Sequence, residues 1–172
     1  MDLYEKTISE KVIHKANFMT YINVDVELPN GKIGNRDIVR HPGASAIIPF
    51  IDEDKIILVN QFRKALDRNL LEIPAGKLDK GEDPKLCAIR ELVEETGYKA
   101  EEVTYLGTIA TAPGFCDELI YLYKATGLSK GEKSLDDDEF TEVKVFTLEE
   151  IKEMIKNGEI IDTKTISSFM YL

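Results

Sequence analysis

The sequence predicts an α/β fold, an α/β/α sandwich in which helices pack on both faces of a mixed β-sheet. Three observations lead to this prediction. From about residue 10 to residue 61, strand-like runs rich in β-branched and aromatic residues dominate. A helix with clear start and stop signals follows in the middle of the chain. Strands and helices then alternate up to the C-terminus, an order typical of a sheet covered by helices.

The first predicted elements are strands joined by turns. Residues 18–28, FMTYINVDVEL, alternate apolar and polar side chains and end at the sequence PNGK, where Asn-Gly indicates a hairpin. Residues 43–51 and 55–62 flank the turn sequence DEDK and are two further predicted strands. Residues 70–75, LLEIPA, form a short strand that leads into a glycine.

A helix is predicted next. Asp83 can cap its N-terminus, Pro84 suits its first position and Gly97 can end it. At 100° per residue, three aliphatic side chains share one arc, which is predicted to face the core: Leu86, Ile89 and Val93. Glu91 and Glu95 are then expected nearly opposite the core.

The remaining elements follow in alternation. Residues 103–111 and 119–126 are predicted strands separated by the loop 112–118. A polar, acidic loop at 129–139 precedes a strand at 140–146. The chain closes with two predicted helices, at 148–158 and 162–172.

Composition excludes some classes of protein. The chain has 172 residues, a length that suits one domain, and a net charge of −10, which argues against non-specific nucleic-acid binding. Cys87 and Cys116 lack metal-ligand spacing and are expected as free thiols. The first 18 residues carry charges throughout, without an apolar signal segment, and no apolar run approaches membrane-spanning length. The expected location is therefore the cytoplasm.

The acidic face of the central helix has two interpretations. Arg90 and Glu94 are four residues apart and are predicted to form an ion pair, whereas neither Glu91 nor Glu95 has a basic residue three or four positions away inside the helix. Such a run of charge is most often a face exposed to water. The alternative is a site for hard divalent cations, which take several oxygen ligands, with backbone carbonyls added from the preceding glycine loop.

Residues 76–98, GKLDKGEDPKLCAIRELVEETGY, decide between these interpretations because they resemble the Nudix box. The pattern is Gly, five residues, Glu, seven residues, Arg-Glu, an aliphatic residue, any residue, Glu-Glu, any residue, Gly and an aliphatic residue. Its fixed positions are all present, at Gly76, Glu82, Arg90, Glu91, Leu92, Glu94, Glu95 and Gly97. Tyr98 departs from the pattern at a packing position where an aliphatic residue is usual.

The resemblance implies a Nudix fold with a loop-helix-loop motif that binds Mg²⁺ at a diphosphate. Two or three ions are expected, with Mn²⁺ as a possible substitute. Glu91 and Glu95 are the implied metal ligands and catalytic residues, and the carbonyl of Ala75 is a further implied ligand. The residues implied to support this site are Gly76, Glu82, Arg90 and Glu94.

The flanking sequences resemble the ADP-ribose pyrophosphatase branch of this family. The stretches concerned are RDIVRHPGASAIIPF, VNQFR and LLEIPAGKLDKGEDP, and the resemblance runs from about Arg36 to the C-terminus. Pro113, 15 residues after Tyr98, stands at the distance that marks ADP-ribose hydrolases. The resemblance further implies that Arg63 contacts a substrate phosphate and that Glu118 contacts the terminal ribose.

A carboxylate of the acidic loop completes the implied site. Glu139 resembles the family glutamate that moves over the metals as a general base or an added ligand. A loop exposed to water is the alternative interpretation. Asp137 or Asp138 would take the role if the register slipped by one residue.

The implied reaction is magnesium-dependent hydrolysis of ADP-ribose to AMP and ribose 5-phosphate, without a covalent intermediate. The implied partner is a small nucleoside diphosphate sugar, with no nucleic acid and no membrane. Residues 1–35 form an N-terminal β-rich segment that can be exchanged in a homodimer, and residues 36–172 form the Nudix hydrolase domain.

Three alternatives remain open at this point. The substrate can be another nucleoside diphosphate derivative, because the box does not distinguish them. A non-catalytic module that senses ADP-ribose is a second alternative, although such modules typically lose box carboxylates that this chain keeps. The third is the related isopentenyl diphosphate isomerase. It needs a cysteine in a characteristic setting that neither Cys87 nor Cys116 occupies.

Overall fold

The computed structural model describes residues 2–131 and 140–172. The chain divides into two compact units. One comprises Met1–Gly43 with Ala110–Leu119, and the other comprises Ala44–Ile109 with Ile120–Leu172. The predicted exchange of residues 1–35 between subunits stays a prediction.

The N-terminal unit contains an antiparallel sheet. Its strands, which pair in chain order, are β1 (Lys6–Lys15), β2 (Thr20–Glu27) and β3 (Ile33–Arg40). The turn between β2 and β3 closes through a hydrogen bond of 2.8 Å from the Leu28 amide to the Lys32 carbonyl, and Gly31 adopts a φ of 75°. The predicted Asn-Gly hairpin is therefore confirmed. β2 buries one apolar row, whereas β1 is exposed along its whole length.

The other strands build three more sheets. They are β4 (Ala44–Pro49), β5 (Lys55–Arg63), β6 (Arg68–Glu72), β7 (Ala75–Lys77), β8 (Tyr98–Lys99), β9 (Glu102–Ala110), β10 (Leu119–Thr126), β11 (Ser129–Lys130) and β12 (Thr141–Thr147). A four-stranded sheet has the order β7-β4-β10-β9, with β4 parallel to β10 and antiparallel to β7. β12, β5 and β6 form an antiparallel sheet, and β8 pairs with β11. The mixed sheet is thus confirmed.

Helices cover both faces of β4. The helices are α1 (Pro84–Thr96), α2 (Leu148–Lys156) and α3 (Thr163–Ser168), which continues into a 3₁₀ turn at Phe169–Tyr171. Ala46 and Ile48 of β4 pack in one cluster with Ile151 of α2, while Ile47 packs on the other face with Leu92 of α1. Because side chains alternate along a strand, β4 contributes to a core on each side, and the predicted sandwich is confirmed.

The predicted boundaries of α1 are confirmed. The Asp83 side chain accepts hydrogen bonds from the amides of Lys85 and Leu86, and Pro84 occupies the first turn. Gly97 ends the helix with a φ of 72°, the left-handed conformation that favours glycine. None of the described helices is long and apolar enough to cross a lipid bilayer.

The predicted core face of α1 is wrong. Leu86 is 61% exposed, and the other two residues of the predicted arc, Ile89 and Val93, are only half-buried. Ala88 and Leu92 are fully buried instead. Alanine has too small a side chain to dominate a hydrophobic arc, but it lets the helix approach the sheet closely, so the face through Ala88 and Leu92 packs inward.

The predicted strand at 70–75 is divided into two. β6 ends at Glu72, β7 begins at Ala75, and the two strands belong to different sheets. Pro74 lies between them and has no amide hydrogen to continue a ladder. The chain therefore passes from one sheet to the other at Ile73 and Pro74, directly before the Nudix-like loop.

Candidate active site

Arg90 is the centre of the hydrogen-bond network around α1. Its Nε and Nη2 donate to the Glu82 carboxylate at 3.0 and 3.1 Å. Its Nη1 donates to Glu91 at 2.6 Å and to Glu94 at 2.9 Å, so the ion pair predicted with Glu94 is present. Glu82 also accepts from the Asp79 amide at 2.9 Å. One guanidinium thereby ties Glu82, in the loop before α1, to two carboxylates of the helix, Glu91 and Glu94.

These contacts shift the pKa values of the ionisable groups in the network. The hydrogen bonds from Arg90 lower the pKa of Glu82 from 4.5 to about 2. The hydrogen bonds to Glu82, followed by the negative charge of Glu91, raise the pKa of Arg90 above its ordinary value. Burial, followed by the charge of Glu82, raises the pKa of the neighbouring Cys87 thiol to about 12. At neutral pH the guanidinium and the Glu82 carboxylate are charged, and the thiol is protonated.

Glu91 lies against the glycine that opens the box. It is only 7% exposed, so its predicted position opposite the core is wrong. A Cβ on residue 76 would overlap the Glu91 carboxylate, and the absent side chain of Gly76 therefore makes room for it. The expectation that Glu91 lacks a basic partner is also wrong, because the long side chain of the adjacent Arg90 reaches it.

Glu95 lies one helical turn further along and is 3% exposed, so its predicted position opposite the core is wrong as well. Its Oε2 accepts a hydrogen bond of 3.1 Å from the amide of Ala75. The carboxylate is therefore held beside the Ala75 peptide. Sequence periodicity missed this burial because it treats carboxylates as groups in water, whereas hydrogen-bonded carboxylates can be buried.

The donor set fits Mg²⁺. Within residues 2–131 and 140–172, no group of three or more His, Cys, Asp or Glu side chains could hold a metal ion. Two buried carboxylates, Glu91 and Glu95, face the loop that contains the Ala75 peptide. Mg²⁺ commonly keeps several water ligands and binds through one or two carboxylates together with substrate phosphates, so two carboxylates suffice for it. Glu139, Asp137 and Asp138 lie outside the described residues.

Arg63 is held at the end of β5 by a buried carboxylate. Its Nε and Nη2 donate to the two oxygens of Glu72 at 2.7 and 2.6 Å. The Arg63 side chain is 41% exposed, whereas that of Glu72 is 2% exposed. Hydrogen bonding to Glu72 is the main cause that raises the pKa of Arg63, and the negative charge of Glu95 also contributes. The negative charge of Glu95 therefore acts on the Arg63 guanidinium.

Glu72 has a second cationic partner, Lys164 of α3. Burial alone would raise the pKa of Glu72, but the hydrogen bonds from Arg63 and the charge of Lys164 outweigh it and hold the pKa below its ordinary value. Both residues were missed by the sequence analysis. A carboxylate within the apolar run LLEIPA was a signal for Glu72. Nothing in the local sequence marks Lys164, whose partner is 92 residues away.

Pro113 and Glu118, the other two predicted substrate residues, line one cavity of about 550 Å³ in the N-terminal unit. Pro113 is exposed in a turn closed by a hydrogen bond of 3.0 Å from the Phe115 amide to the Ala112 carbonyl. Glu118 accepts a hydrogen bond of 2.7 Å from the Thr111 hydroxyl. The structure brings Pro113 and Glu118 together in this cavity, and their contact with a substrate stays a prediction.

Two arginines of the same cavity were missed by the sequence analysis. Arg36 donates from Nε to Glu5 at 2.9 Å, and Arg40 donates from Nη1 to Asp117 at 3.1 Å. Both arginines belong to β3. Their position in the cavity depends on how the strands pair, which the alternating pattern of the sequence does not show. Their guanidinium groups give the cavity cationic edges beside its acidic residues.

Comparisons with known proteins agree with the resemblance of residues 76–98 to the Nudix box. The NUDIX domain family model matches residues 39–169. A methanol dehydrogenase activator of Bacillus methanolicus is 50% identical over 170 residues, which cover 98% of this chain and 92% of that protein. An ADP-ribose pyrophosphatase of Bacillus subtilis (strain 168) is 47% identical over 172 residues, which cover 99% of this chain and 93% of that protein. A crystal structure of an ADP compounds hydrolase matches with a TM-score of 0.87 at 20% identity, covering 99% of this chain and 94% of that one, which supports the fold.

Proposed function

Since this chain belongs to the NUDIX domain family, we propose that it is a hydrolase that cleaves the diphosphate of ADP-ribose to AMP and ribose 5-phosphate, with Mg²⁺ as cofactor. The observation that carries the proposal is the pair of buried carboxylates, Glu91 and Glu95, held against the loop at residues 75 and 76 within a complete box. The ADP-ribose pyrophosphatase of Bacillus subtilis, nearly half identical over almost the whole chain, supports the choice of substrate.

Glu91, Glu95 and the carbonyl of Ala75 would hold two or three Mg²⁺ ions, with Mn²⁺ as a substitute. Bound ions of this kind neutralise phosphate charge and lower the pKa of a coordinated water. The chain supplies a rigid frame for them. Arg90 holds Glu91 in place and Glu82 fixes the preceding loop, so the carboxylates need little reorganisation when the substrate arrives.

Other residues orient the substrate and accept the proton. Arg63 binds a phosphate oxygen with the part of its guanidinium that Glu72 does not use. Glu139 accepts a proton from the attacking water or adds a metal ligand, and Asp137 or Asp138 would replace it after a one-residue shift in register. Glu118 is proposed to contact the terminal ribose, and Pro113 is proposed as a further substrate-binding residue. No side chain forms a covalent bond to the substrate.

A substrate panel tests this proposal. ADP-ribose, GDP-mannose, NADH and a diadenosine polyphosphate are incubated with the protein and Mg²⁺, and products are separated by chromatography. We expect ADP-ribose to have the highest kcat/KM and to give AMP with ribose 5-phosphate. If another compound has a higher kcat/KM, that compound is the preferred substrate and ADP-ribose is not. Tight binding of ADP-ribose without products would indicate a sensing module. Glu95→Gln, purified in parallel, controls for contaminating hydrolases.

The chain is further proposed to work as a cytoplasmic homodimer. β1 is an edge strand with exposed apolar side chains at Ile8, Val12 and Ile13, and such edges commonly pair with another chain. Cys87 and Cys116 are free, as expected in a reducing compartment. Light scattering should give twice the chain mass for the parent and the single mass for Val12→Lys. A monomeric parent would contradict the dimer.

A further inference from the structure

Lys164 is buried to a degree that is unusual for lysine. It is 7% exposed, although lysine is almost never buried unless it is paired. Its ammonium group donates to Glu72 and lies 3.1 Å from Oδ2 of Asp162. Burying this cation costs free energy that a residue with only a packing role would not require.

The Glu72 carboxylate connects Lys164 to Arg63. Arg63 contacts both oxygens of Glu72, and Lys164 contacts Oε2. With Asp162, the cluster contains two cations and two carboxylates and is balanced in charge. The negative charge of Glu72 is therefore shared between two cations, Arg63 and Lys164, and is not available to neutralise Arg63 fully.

The same turn of α3 also fixes the backbone that leads to the metal carboxylates. Thr165, the next residue, is fully buried, and its Oγ1 accepts a hydrogen bond of 2.9 Å from the Ile73 amide. Two residues later, the Ala75 amide donates to Glu95. The first turn of α3 thus holds both the side chain of Glu72 and the segment that follows it.

We propose that Lys164 is a positioning residue of the active site: by sharing the Glu72 carboxylate, it keeps Arg63 oriented toward a substrate phosphate and offsets part of the negative charge beside it. The proposal rests on the proposed function, in which Arg63 is the phosphate contact. Without Lys164, the cluster of Arg63, Glu72 and Asp162 carries one excess negative charge, and the attraction of Arg63 for an anion falls.

Charge-changing variants test this proposal. Lys164→Met removes the charge and keeps most of the length, whereas Lys164→Arg keeps the charge. The double variant Lys164→Met with Glu72→Gln removes both partners, which restores the charge balance around Arg63. Ser168→Ala is the matched control, because Ser168 is buried in the same helix and bonds only the Thr165 carbonyl among the contacts described.

For each variant, kcat and KM are measured with ADP-ribose at saturating Mg²⁺. Lys164→Met should raise KM about tenfold, the size expected for one unit charge acting across a partly solvated site. Its kcat should stay within about twofold, because the phosphate contact exists in both the ground state and the transition state. Lys164→Arg and Ser168→Ala should keep the parental KM.

The double variant gives the decisive comparison. It leaves one cation, Arg63, and one carboxylate, Asp162, so the cluster stays balanced in charge and the variant should fold even if Lys164→Met does not. Its KM should return to within about threefold of the parent because the two changes act on one carboxylate. A merely structural role predicts a loss at least as large as in the single variant, and that result would overturn the proposal.

Affinity for inorganic pyrophosphate with Mg²⁺, measured by calorimetry, separates this proposal from the proposed function. If the parent does not hydrolyse ADP-ribose, the substrate is wrong, but pyrophosphate should still bind about tenfold more weakly to Lys164→Met and recover in the double variant. Equal pyrophosphate affinity in the parent and Lys164→Met would overturn the positioning role, whichever substrate the enzyme takes.

Discussion

Gly76→Ala is the change that most directly perturbs the geometry of the box. A Cβ at this position would overlap the Glu91 carboxylate, at a separation that real Cβ atoms essentially never show. The backbone cannot easily retreat, because Gly76 is paired with Ser45 of β4. The Glu91 side chain must therefore leave its position and break its 2.6 Å hydrogen bond to Arg90.

The expected loss of stability follows from this bond. A hydrogen bond between charged groups contributes about 1.5–3 kcal/mol, so the free energy of unfolding should fall by about 2 kcal/mol. The loss is limited because Arg90 keeps its contacts to Glu82 and Glu94. Turnover should fall more steeply, by at least about a hundredfold, as expected when an electrostatic catalytic group is displaced.

Urea unfolding measures the stability change, and release of AMP from ADP-ribose at saturating Mg²⁺ measures turnover. Gly81→Ala is the matched control. Its φ of 81° makes alanine unfavourable by about 1 kcal/mol, but a Cβ there meets no atom within 4 Å. The control should lose stability and keep its turnover. If Gly76→Ala kept turnover within a few-fold of the parent, the close fit of Glu91 and Gly76 would not matter for catalysis.

Three further predictions concern single residues. Glu82→Gln should lower the free energy of unfolding at pH 7. The difference from the parent should shrink as pH falls from about 4.5 toward about 2, because the pKa of Glu82 in the folded protein is lowered to about 2 and its contribution is lost on protonation. Urea unfolding across this range checks the prediction, and a difference that does not change with pH contradicts it. Cys87, whose pKa burial raises to about 12, should resist iodoacetamide at pH 8 in the folded protein. Mass spectrometry that finds Cys87 modified as fast as in urea would refute this. Glu139→Gln should lower kcat strongly and leave KM within a few-fold if Glu139 is the base; steady-state kinetics test this, and an unchanged kcat would move the role to a neighbouring carboxylate.

Features determined by neighbouring residues were predictable from the sequence. The Asn-Gly hairpin and the ends of α1 follow from local backbone preferences, which tertiary contacts do not override here. The ion pair between Arg90 and Glu94 follows from helical spacing. The residues of the box came from resemblance, because helical spacing alone favoured a face exposed to water over a metal site.

Features that depend on distant contacts were not predictable. The burial of Glu91 and Glu95 depends on the loop at residues 75 and 76, which reaches them only in the folded protein. Side-chain hydrophobicity along α1 cannot reveal this, so the predicted core arc was wrong. Lys164 and Glu72 meet across 92 residues of sequence, and no local pattern distinguishes Lys164 from a lysine at the surface.

The central claim is that Glu91 and Glu95 hold the divalent ions that the reaction requires, and a Mg²⁺ titration of thermal stability tests it most directly. The melting temperature of the parent should rise with Mg²⁺ concentration, since an ion that binds only the folded state stabilises it by RT ln(1 + [L]/Kd). Glu91→Gln combined with Glu95→Gln should abolish the rise. Glu149→Gln combined with Glu153→Gln, which has the same spacing on the exposed face of α2, should leave it intact. A double variant of Glu91 and Glu95 that responds to Mg²⁺ like the parent would contradict the claim and place the ions elsewhere.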